Sequence, residues 1–545
     1  MRAPAGFRGA FRSDKPARSL YAEGAGIYRI VPAAVAVPEN RSDLVTLVKW
    51  AADTATALVP RGAGSGMPGH NIGPGVIVDL SQGFNEAPVV AKSQKLAHAG
   101  AGITYSALAV AAGVHGLRLP PDPSSARFCT LGGMTGTNAA GARSFKYGAM
   151  RRWVEALEIV TADGEPGVIT ADGLADARTD GPTAAEKRFR ELIPDIDADK
   201  RVLESRRPFT RKNSSGYALL SDSGARVRDV LVGSEGTLAF ITGVTVRLDP
   251  VPARVMTLLM PLARLEDLPA ALDTVDQAKP SAVELLDRTY LEFIRALGTD
   301  LPADTEAALL VELEPDGIQA FGSASARTNV TSASDEASQA RLWGLRHRAS
   351  PILAGLPDTM RSLQVVEDGC VPRPQLATYI AGLRDIARNN GFQVVIFGHA
   401  GDGHVHANLL ADIASEDLAG RLTNVLSSTS QLQIALDGTI SGEHGDGRLR
   451  APFVAKLFGE PYLDWCRRVK QAWDPAGILN PGVKIPHAGP AIEAGSLKVG
   501  AGAPKIAEAI AAHLRRIEKE AAWDSFRLDL LGDRTIERSD DRPSA

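Results

Sequence analysis

The chain has 545 residues, long enough for two or three domains and more than one hydrophobic core. Its formal charge of −4 and pI near 6.2 give it no general attraction for nucleic acid or for an anionic membrane. Three widely separated cysteines, Cys129, Cys370 and Cys466, allow neither a disulfide framework nor a four-cysteine cluster; this points to a reducing compartment and excludes an iron–sulfur centre built by this chain alone.

Residues 1–20 read as an N-terminal extension. Arg2 and Arg8 have no acidic partner, but no apolar stretch follows them, and no run approaches the roughly 18 residues of a spanning helix. A flexible N-terminus on a cytoplasmic protein is the expected reading, with peripheral membrane association and a mitochondrial location left open. From Ser42 to Thr56, Leu44, Val45, Leu47, Val48, Ala51 and Ala52 recur at helical spacing, and Leu58-Val59-Pro60 then reads as a short strand. It opens into Arg61-Gly62-Ala63-Gly64-Ser65-Gly66-Met67-Pro68-Gly69, a loop whose amides could cradle a phosphate. The dinucleotide fingerprint is not matched, because the element that follows, Val76 to Leu80, is a strand rather than a helix.

A second small-residue stretch runs from Pro120-Pro121-Asp122-Pro123-Ser124-Ser125 to Thr130-Leu131-Gly132-Gly133-Met134-Thr135-Gly136-Thr137-Asn138-Ala139-Ala140-Gly141. A pyrophosphate needs several backbone donors and no bulky side chains, and two such loops face to face would grip it from both sides. A third, Gly233-Ser234-Glu235-Gly236-Thr237-Leu238, precedes the strand-like residues 239–246. New strand-like runs follow at Val255 to Met260, after Pro250 and Pro252, and at Ala307 to Leu313.

Chemistry concentrates further on. Gly398-His399-Ala400-Gly401-Asp402-Gly403-His404-Val405-His406 follows an apolar run, and Ser441-Gly442-Glu443-His444-Gly445-Asp446-Gly447-Arg448 sets a carboxylate beside an imidazole among glycines. Four of the ten histidines lie in these two stretches, which favours a site over histidines that merely satisfy a polar loop. Zinc and similar divalent ions take neutral imidazole and carboxylate oxygen, and a catalytic site leaves one position open. His399, His406 and Glu443 make such a set if Gly401-Asp402-Gly403 forms a turn. Residues 486–502, rich in Ala, Gly and Pro, read as a linker. After Pro504 a helix is expected, with Ile506, Ile510, Leu514, Ile517 and Ala521 on one face, packed on its own domain or offered to a partner.

In order, these elements, with Ala142-Arg143-Ser144-Phe145-Lys146-Tyr147-Gly148 and the run Asp474 to Gly482, resemble FAD-linked oxidoreductases of the vanillyl-alcohol-oxidase or p-cresol-methylhydroxylase (PCMH) type. The resemblance extends from about residue 20 to 485. Within that type, the histidine stretch and Glu443-His444 resemble the branch that oxidises D-2-hydroxy acids: D-lactate dehydrogenase, the glycolate oxidase FAD subunit and D-2-hydroxyglutarate dehydrogenase.

The resemblance implies an α+β fold, with a two-subdomain PCMH-type FAD-binding domain over residues 21–255. A cap domain with an antiparallel sheet follows over 256–485, its end returning to the FAD domain, then the 486–502 linker and a C-terminal helix and tail, 503–545. It implies FAD contacts at Arg61, Gly62, Ala63, Gly64, Ser65, Gly66, Pro121, Asp122, Thr130, Gly133, Thr137, Asn138, Gly141, Glu235, Ile241 and Asn480. It makes His399, His406 and Glu443 ligands of a divalent metal, zinc or manganese, and His444 the general base. Arg346 becomes the clamp for the substrate carboxylate, with Ser350 and Asn408 as further substrate contacts. Two positions depart from the pattern: His404 replaces a usual asparagine, and Val366 stands where the hydroxyglutarate enzyme carries a substrate lysine.

The implied activity is a metal-assisted oxidation of a D-2-hydroxy acid to the 2-oxo acid. With no cysteine cluster in the chain, electrons must leave to a separate acceptor: an iron–sulfur protein, an electron-transfer flavoprotein, a quinone or a cytochrome. A homodimer is compatible with these readings. Two alternatives stand beside them: another flavin chemistry on the same scaffold, such as alkyl-dihydroxyacetonephosphate-synthase-like transfer or phenol oxidation, and a non-catalytic FAD electron relay.

Overall fold

A computed structural model of the chain describes residues 1–170, 181–221, 226–295, 301–324, 330–348, 353, 355–357, 359–415 and 417–532. Among these residues the strands gather into three larger sheets and a two-stranded ribbon. The first sheet holds β1 (Ala10–Arg12), β2 (Ala34–Val37), β3 (Leu58–Arg61) and β4 (Val76–Asp79) in the order β1-β2-β4-β3. β2 and β3 run parallel to β4, and β1 closes the edge antiparallel to β2. Every residue of β2 and β4 is buried, as expected of parallel strands covered on both faces.

One cover is the helix Arg41–Asp53, started by the Asn40 side chain, which accepts from the Asp43 amide. Its row Leu44, Leu47, Val48 and Ala51 is fully buried against the sheet, as the helical spacing predicts. The other cover includes the helix Glu508–Glu520, whose Ile510 and Leu514 join Leu20, Tyr21, Val35, Val37, Val59 and Ile77 in one core. Each such buried aliphatic side chain contributes roughly 1.5–3 kcal/mol, so the terminal helix is held by its own domain and that face is closed to a partner.

Two segments expected to be loose are structured. Residues 1–20 supply β1 and the helix Lys15–Leu20, capped by Asp14, which buries Ala17 and Leu20. Residues 486–502 lie along the N-terminal segment: the Arg29 amide donates to Ser496 O at 2.8 Å, Lys498 N to Ile27 O at 2.8 Å, and the Tyr28 hydroxyl to Ala491 O at 2.6 Å. Backbone pairing, which composition does not encode, fixes both.

The second sheet is antiparallel, with β5 (Val89–Ala91), β6 (Leu96–Gly100), β8 (Val154–Thr161), β9 (Pro166–Thr170) and β10 (Ala239–Arg247) in the order β5-β6-β10-β8-β9. The ribbon pairs β7 (Leu117–Arg118) with β11 (Asp249–Pro250). The third sheet contains β12 (Met256–Leu262), β13 (Ala282–Asp287), β14 (Ala307–Leu313), β15 (Thr331–Ala333), β16 (Met360–Leu363), β17 (Gly369–Cys370), β18 (Gln393–His399) and β19 (His404–Asp412). Its path is β15-β12-β14-β13-β18-β19-β16, with β17 also on β19, and all its pairings are antiparallel. The chain then returns to the first sheet, where Leu58 N donates to Ile478 O and Asn480 N to Leu58 O, both at 2.8 Å. Among the described residues no helix is long and apolar enough to cross a membrane.

Candidate active site

The two glycine-rich loops meet between the first and second sheets. β3 delivers Arg61 to Gly66, and Thr130 caps the helix Leu131–Thr137 by accepting from the Gly133 amide. Between them runs a cavity lined by Arg61, Gly62, Ala63, Gly64, Ser65, Gly66, Thr130, Gly133, Thr137, Glu235 and Ile241, and also by Glu443 and His444. A Cβ added at Gly136, which lines the same cavity, would meet nothing within 4 Å, so the backbone there opens directly onto the space. Among the described residues the amides of Gly62 to Gly66 donate to no protein acceptor, the state of a nest that binds an anion. These features fit the diphosphate and ring system of a flavin nucleotide.

Pro121, Asp122, Asn138, Gly141 and Asn480, also expected to touch FAD, do not line this cavity. Asp122 pairs with Arg143, and Asn138 accepts from the Arg151 amide at 2.9 Å. Asn480, fully buried, donates to His70 O at 2.7 Å and Glu235 O at 2.8 Å, which ties two cavity loops together. His70, Asn71 and Cys129 do line the cavity but carry no motif that marks them. Burial pushes the Cys129 thiol up to about 12, so it offers no thiolate for attachment to a flavin. No histidine or cysteine lies within Arg61 to Gly69, so FAD is expected to be held without a covalent bond: acid precipitation of the yellow protein should release the flavin, and colour that stays in the pellet would contradict this.

Beside His444 the histidines converge. β18 and β19 pair so that His399 faces His404 and Phe397 faces His406, and alternation puts His399, His404, His406 and Asn408 on one side of the hairpin. The turn Ala400–Asp402 ends on Gly403 at φ +73°, a left-handed position, and a Cβ there would lie 2.0 Å from Val371 O. The ligand atoms of His399, His404, His406 and Glu443 lie within 4.8 Å of one another, all buried.

Hydrogen bonds select among the four. A carboxylate or carbonyl can only accept, so His399 Nδ1 donates to Glu284 Oε1 at 2.5 Å and His406 Nδ1 to Glu367 O at 2.8 Å. Both Nε2 atoms then face inward, 3.2 Å apart, and Glu443 Oε1 completes a triangle at 3.2 Å from His399, whose Nε2 donates to it here, and 3.5 Å from His406; an ion would take the place of that proton. Ligands about 2.0–2.1 Å from a tetrahedral ion lie about 3.3 Å from one another, so this donor set fits such an ion. His404 is engaged elsewhere: its Nε2 donates to Asp368 Oδ1 at 3.0 Å, and Lys212 Nζ approaches its Nδ1 at 3.4 Å.

Charge is dense and buried here, which is tolerated where groups pair. Burial alone would raise the Glu443 carboxyl, but the Lys212 ammonium, 2.8 Å from Oε2, and His399 hold it well below its usual range. Glu284 is held down at about 2: burial opposes ionisation, and His399 and Arg346 outweigh it. Burial and the neighbouring rings of His404 and His399 push His406 well below 6.5, leaving it a neutral imidazole, the form a metal takes. His444 moves the other way, up to about 9. Burial works against its charge, but Asp368 and Glu367, the latter 3.2 Å from Nδ1, prevail.

Arg346 joins the cluster through Glu284, to whose Oε2 its Nε donates at 2.8 Å, while its guanidinium lies over the Phe397 ring at 4.4 Å. That pairing engages neither Nη1 nor Nη2. Asn408 sits near Gln364, whose Nε2 reaches Asn408 Oδ1 at 3.5 Å and whose buried Oε1 has no partner. Val366 is buried. Ser350 lies outside the described residues. Lys212, Glu284, Glu367 and Asp368 were not anticipated, although a glutamate inside the otherwise apolar strand β13 and an acidic pair ahead of Gly369 are signals.

Comparison with known proteins supplies the family. Residues 32–169 match the model of the FAD binding domain, and residues 251–483 that of the C-terminal domain of FAD linked oxidases. The chain is 30% identical over 471 residues to the glycolate oxidase subunit GlcD of Bacillus subtilis, covering 84% of this chain and 89% of that protein. It belongs to the FAD-linked oxidase family. A D-lactate dehydrogenase of Archaeoglobus fulgidus is 31% identical, over 82% of this chain and 90% of its own length. A D-2-hydroxyglutarate dehydrogenase of Pseudomonas putida is 28% identical over 88% of this chain, which spans 50% of that longer protein. The fold is shared with a solved alkyldihydroxyacetonephosphate synthase at a TM-score of 0.58 and 16% identity, covering 86% of this chain and 83% of that one. As an FAD-linked oxidase with dehydrogenase relatives, the chain is an FAD-dependent oxidoreductase, and the cavity between its glycine-rich loops lies within the matched FAD-binding region and the adjoining sheets.

Proposed function

We propose that this FAD-linked oxidase is a dehydrogenase of a small D-2-hydroxy acid, assisted by a divalent metal, that passes electrons to a separate acceptor. The observation that carries this reading is the triangle of His399 Nε2, His406 Nε2 and Glu443 Oε1 beside the cavity that Glu443 and His444 help to line. An electron relay needs neither the triangle nor a base beside it. When bound, FAD accepts a hydride and a divalent ion such as zinc or manganese polarises a hydroxyl oxygen and lowers the pKa of a nearby imidazole.

The chain's own residues do the rest. Arg346, through Nη1 and Nη2, grips the substrate carboxylate with two parallel hydrogen bonds, held in place by Glu284 and Phe397. His444 takes the hydroxyl proton, oriented by Glu367 through Nδ1. Asn408, with Gln364 beside it, meets the remainder of the substrate, and Val366 brings no cation for a distal carboxylate. Short acids of the lactate and glycolate class therefore fit this site better than 2-hydroxyglutarate. Cys129, Cys370 and Cys466 are buried and free, so no electron carrier is built from them.

The test is a screen of D- and L-2-hydroxy acids with an artificial dye as acceptor. Reduction of the dye with short D-acids and glycolate, and slow turnover on air alone, is the expected result. No reduction by any D-acid, or reoxidation by oxygen as fast as turnover, would overturn the reading.

A further inference from the structure

The cofactor loop has a second cavity on its outer side. Arg61, Gly62, Ala63 and Thr130 line both this cavity and the flavin cavity, and the outer wall comes from Trp523 and Arg527 of the segment that follows the terminal helix. Arg527 is 3% exposed, and its Nε, Nη1 and Nη2 atoms have no hydrogen-bond partner among the described residues. The Trp523 ring lies 5.5 Å from its guanidinium carbon, which serves the flat face and leaves the N–H groups unmet. Arg61, beside it, donates to two backbone carbonyls, Glu23 O at 2.9 Å and Tyr21 O at 3.4 Å, rather than to a carboxylate.

Of the acids at this cavity, Asp524 lines it but is exposed to solvent, and the buried ones nearby are engaged. Glu23 pairs with Arg29 at 2.6 Å, and Asp79 accepts from the Tyr21 hydroxyl at 2.6 Å and from Ser81 N and Oγ. A buried guanidinium with all its donors unmet costs several kcal/mol unless an anion arrives. Burial and the Arg61 charge both depress its hold on its proton. The segment is firmly placed: Phe526, Leu528, Leu530 and Leu531 pack into the core beneath the first sheet, and Arg127 donates to Glu520 O and Ala521 O. Arg527 is therefore presented toward the loop in advance, at little further entropy cost.

We propose that Arg527 is a cofactor-binding residue: its guanidinium meets the diphosphate of FAD from the side opposite the flavin cavity, with Arg61 and the amides of the glycine-rich loop. The residue lies outside both segments matched by the family models, 32–169 and 251–483. The proposal rests on FAD binding and not on the choice of substrate, and its readouts need no turnover; an enzyme that is inactive on D-acids yet follows them would refute the catalytic reading alone.

The first measurement is release of FAD from the full-length holoprotein, followed by the rise in flavin fluorescence after dilution. Arg527→Met is expected to speed release at least about tenfold, and Arg527→Lys to recover most of the difference. Leu528→Ala, which disturbs the same packing without touching charge, is expected to change it less than threefold. A wild-type rate in Arg527→Met, or equal acceleration in all three variants, overturns the proposal. The second measurement needs no variant: amide exchange of residues 521–532 in flavin-stripped wild-type protein. FAD is expected to protect this segment and riboflavin, which lacks phosphate, is not. Equal protection by the two overturns it, as does protection by inorganic pyrophosphate that adds to that of FAD instead of competing with it.

Discussion

Replacing His444 by alanine is expected to lower the rate of flavin reduction by substrate about 100- to 10,000-fold while leaving FAD bound. A positioned proton acceptor contributes roughly that factor. The imidazole lines the cofactor cavity with 22% of its side chain exposed, and the loop amides offered to the diphosphate belong to other segments of its lining. Stopped-flow reduction with a saturating D-acid measures the first quantity, and the ratio of flavin to protein absorbance the second. A fall of less than tenfold would remove His444 from the role of base. Loss of FAD with the rate would instead show that the residue holds the cofactor region together.

A comparable loss is expected from the double substitution His399→Ala, His406→Ala, by a different route. Removing two corners of the donor triangle leaves Glu443 Oε1 as its one remaining donor, so divalent metal should fall to background. Polarisation of a bound oxygen by an ion is worth several kcal/mol, which at about 1.4 kcal/mol per decade means at least about a thousandfold in rate. Chelation of the wild-type protein should reproduce the loss with the flavin spectrum intact, and Zn²⁺ or Mn²⁺ should restore activity to the wild type but not to the double variant. Full activity in the double variant would sink the metal reading. Because Glu284 bonds both His399 and Arg346, its replacement should weaken metal binding and raise KM for the acid together.

What the sequence disclosed follows from the range over which each feature is decided. The hairpin that joins His399 to His406 is local: eight residues, a glycine turn and the two-residue alternation of a strand suffice to put both rings on one side. The glycine-rich loops are likewise legible, because so many small residues in sequence have no use in a core. Lys212, Glu284, Glu367 and Asp368 come from distant segments and acquire their partners only when the cap sheet is assembled, so no spacing betrays them. The end of the chain misled for the opposite reason. Ala, Gly and Pro over 486–502 have the composition of a flexible connector, yet their amides and carbonyls bond to the segment around Tyr28. Arg527, between Phe526 and Leu528, is marked by no motif; its burial without a partner among the described residues is visible only once the first sheet and its cover are in place.

The bonds between Leu58 and residues 478–480 make the cofactor loop dependent on chain synthesised long after it. β3 carries that loop, and its edge is completed by a segment more than four hundred positions downstream, whose Asn480 also pins the loop to Glu235. Closing so long a span costs little more than closing a shorter one, since each doubling adds only about 0.6 kcal/mol, but it cannot begin before the distal residues exist. A nascent polypeptide halted before residue 478 would therefore carry both glycine-rich loops and still fail to retain flavin. Loading of the cofactor is therefore expected only once residues 478–480 have been made and docked, and the yellow colour reports that docking.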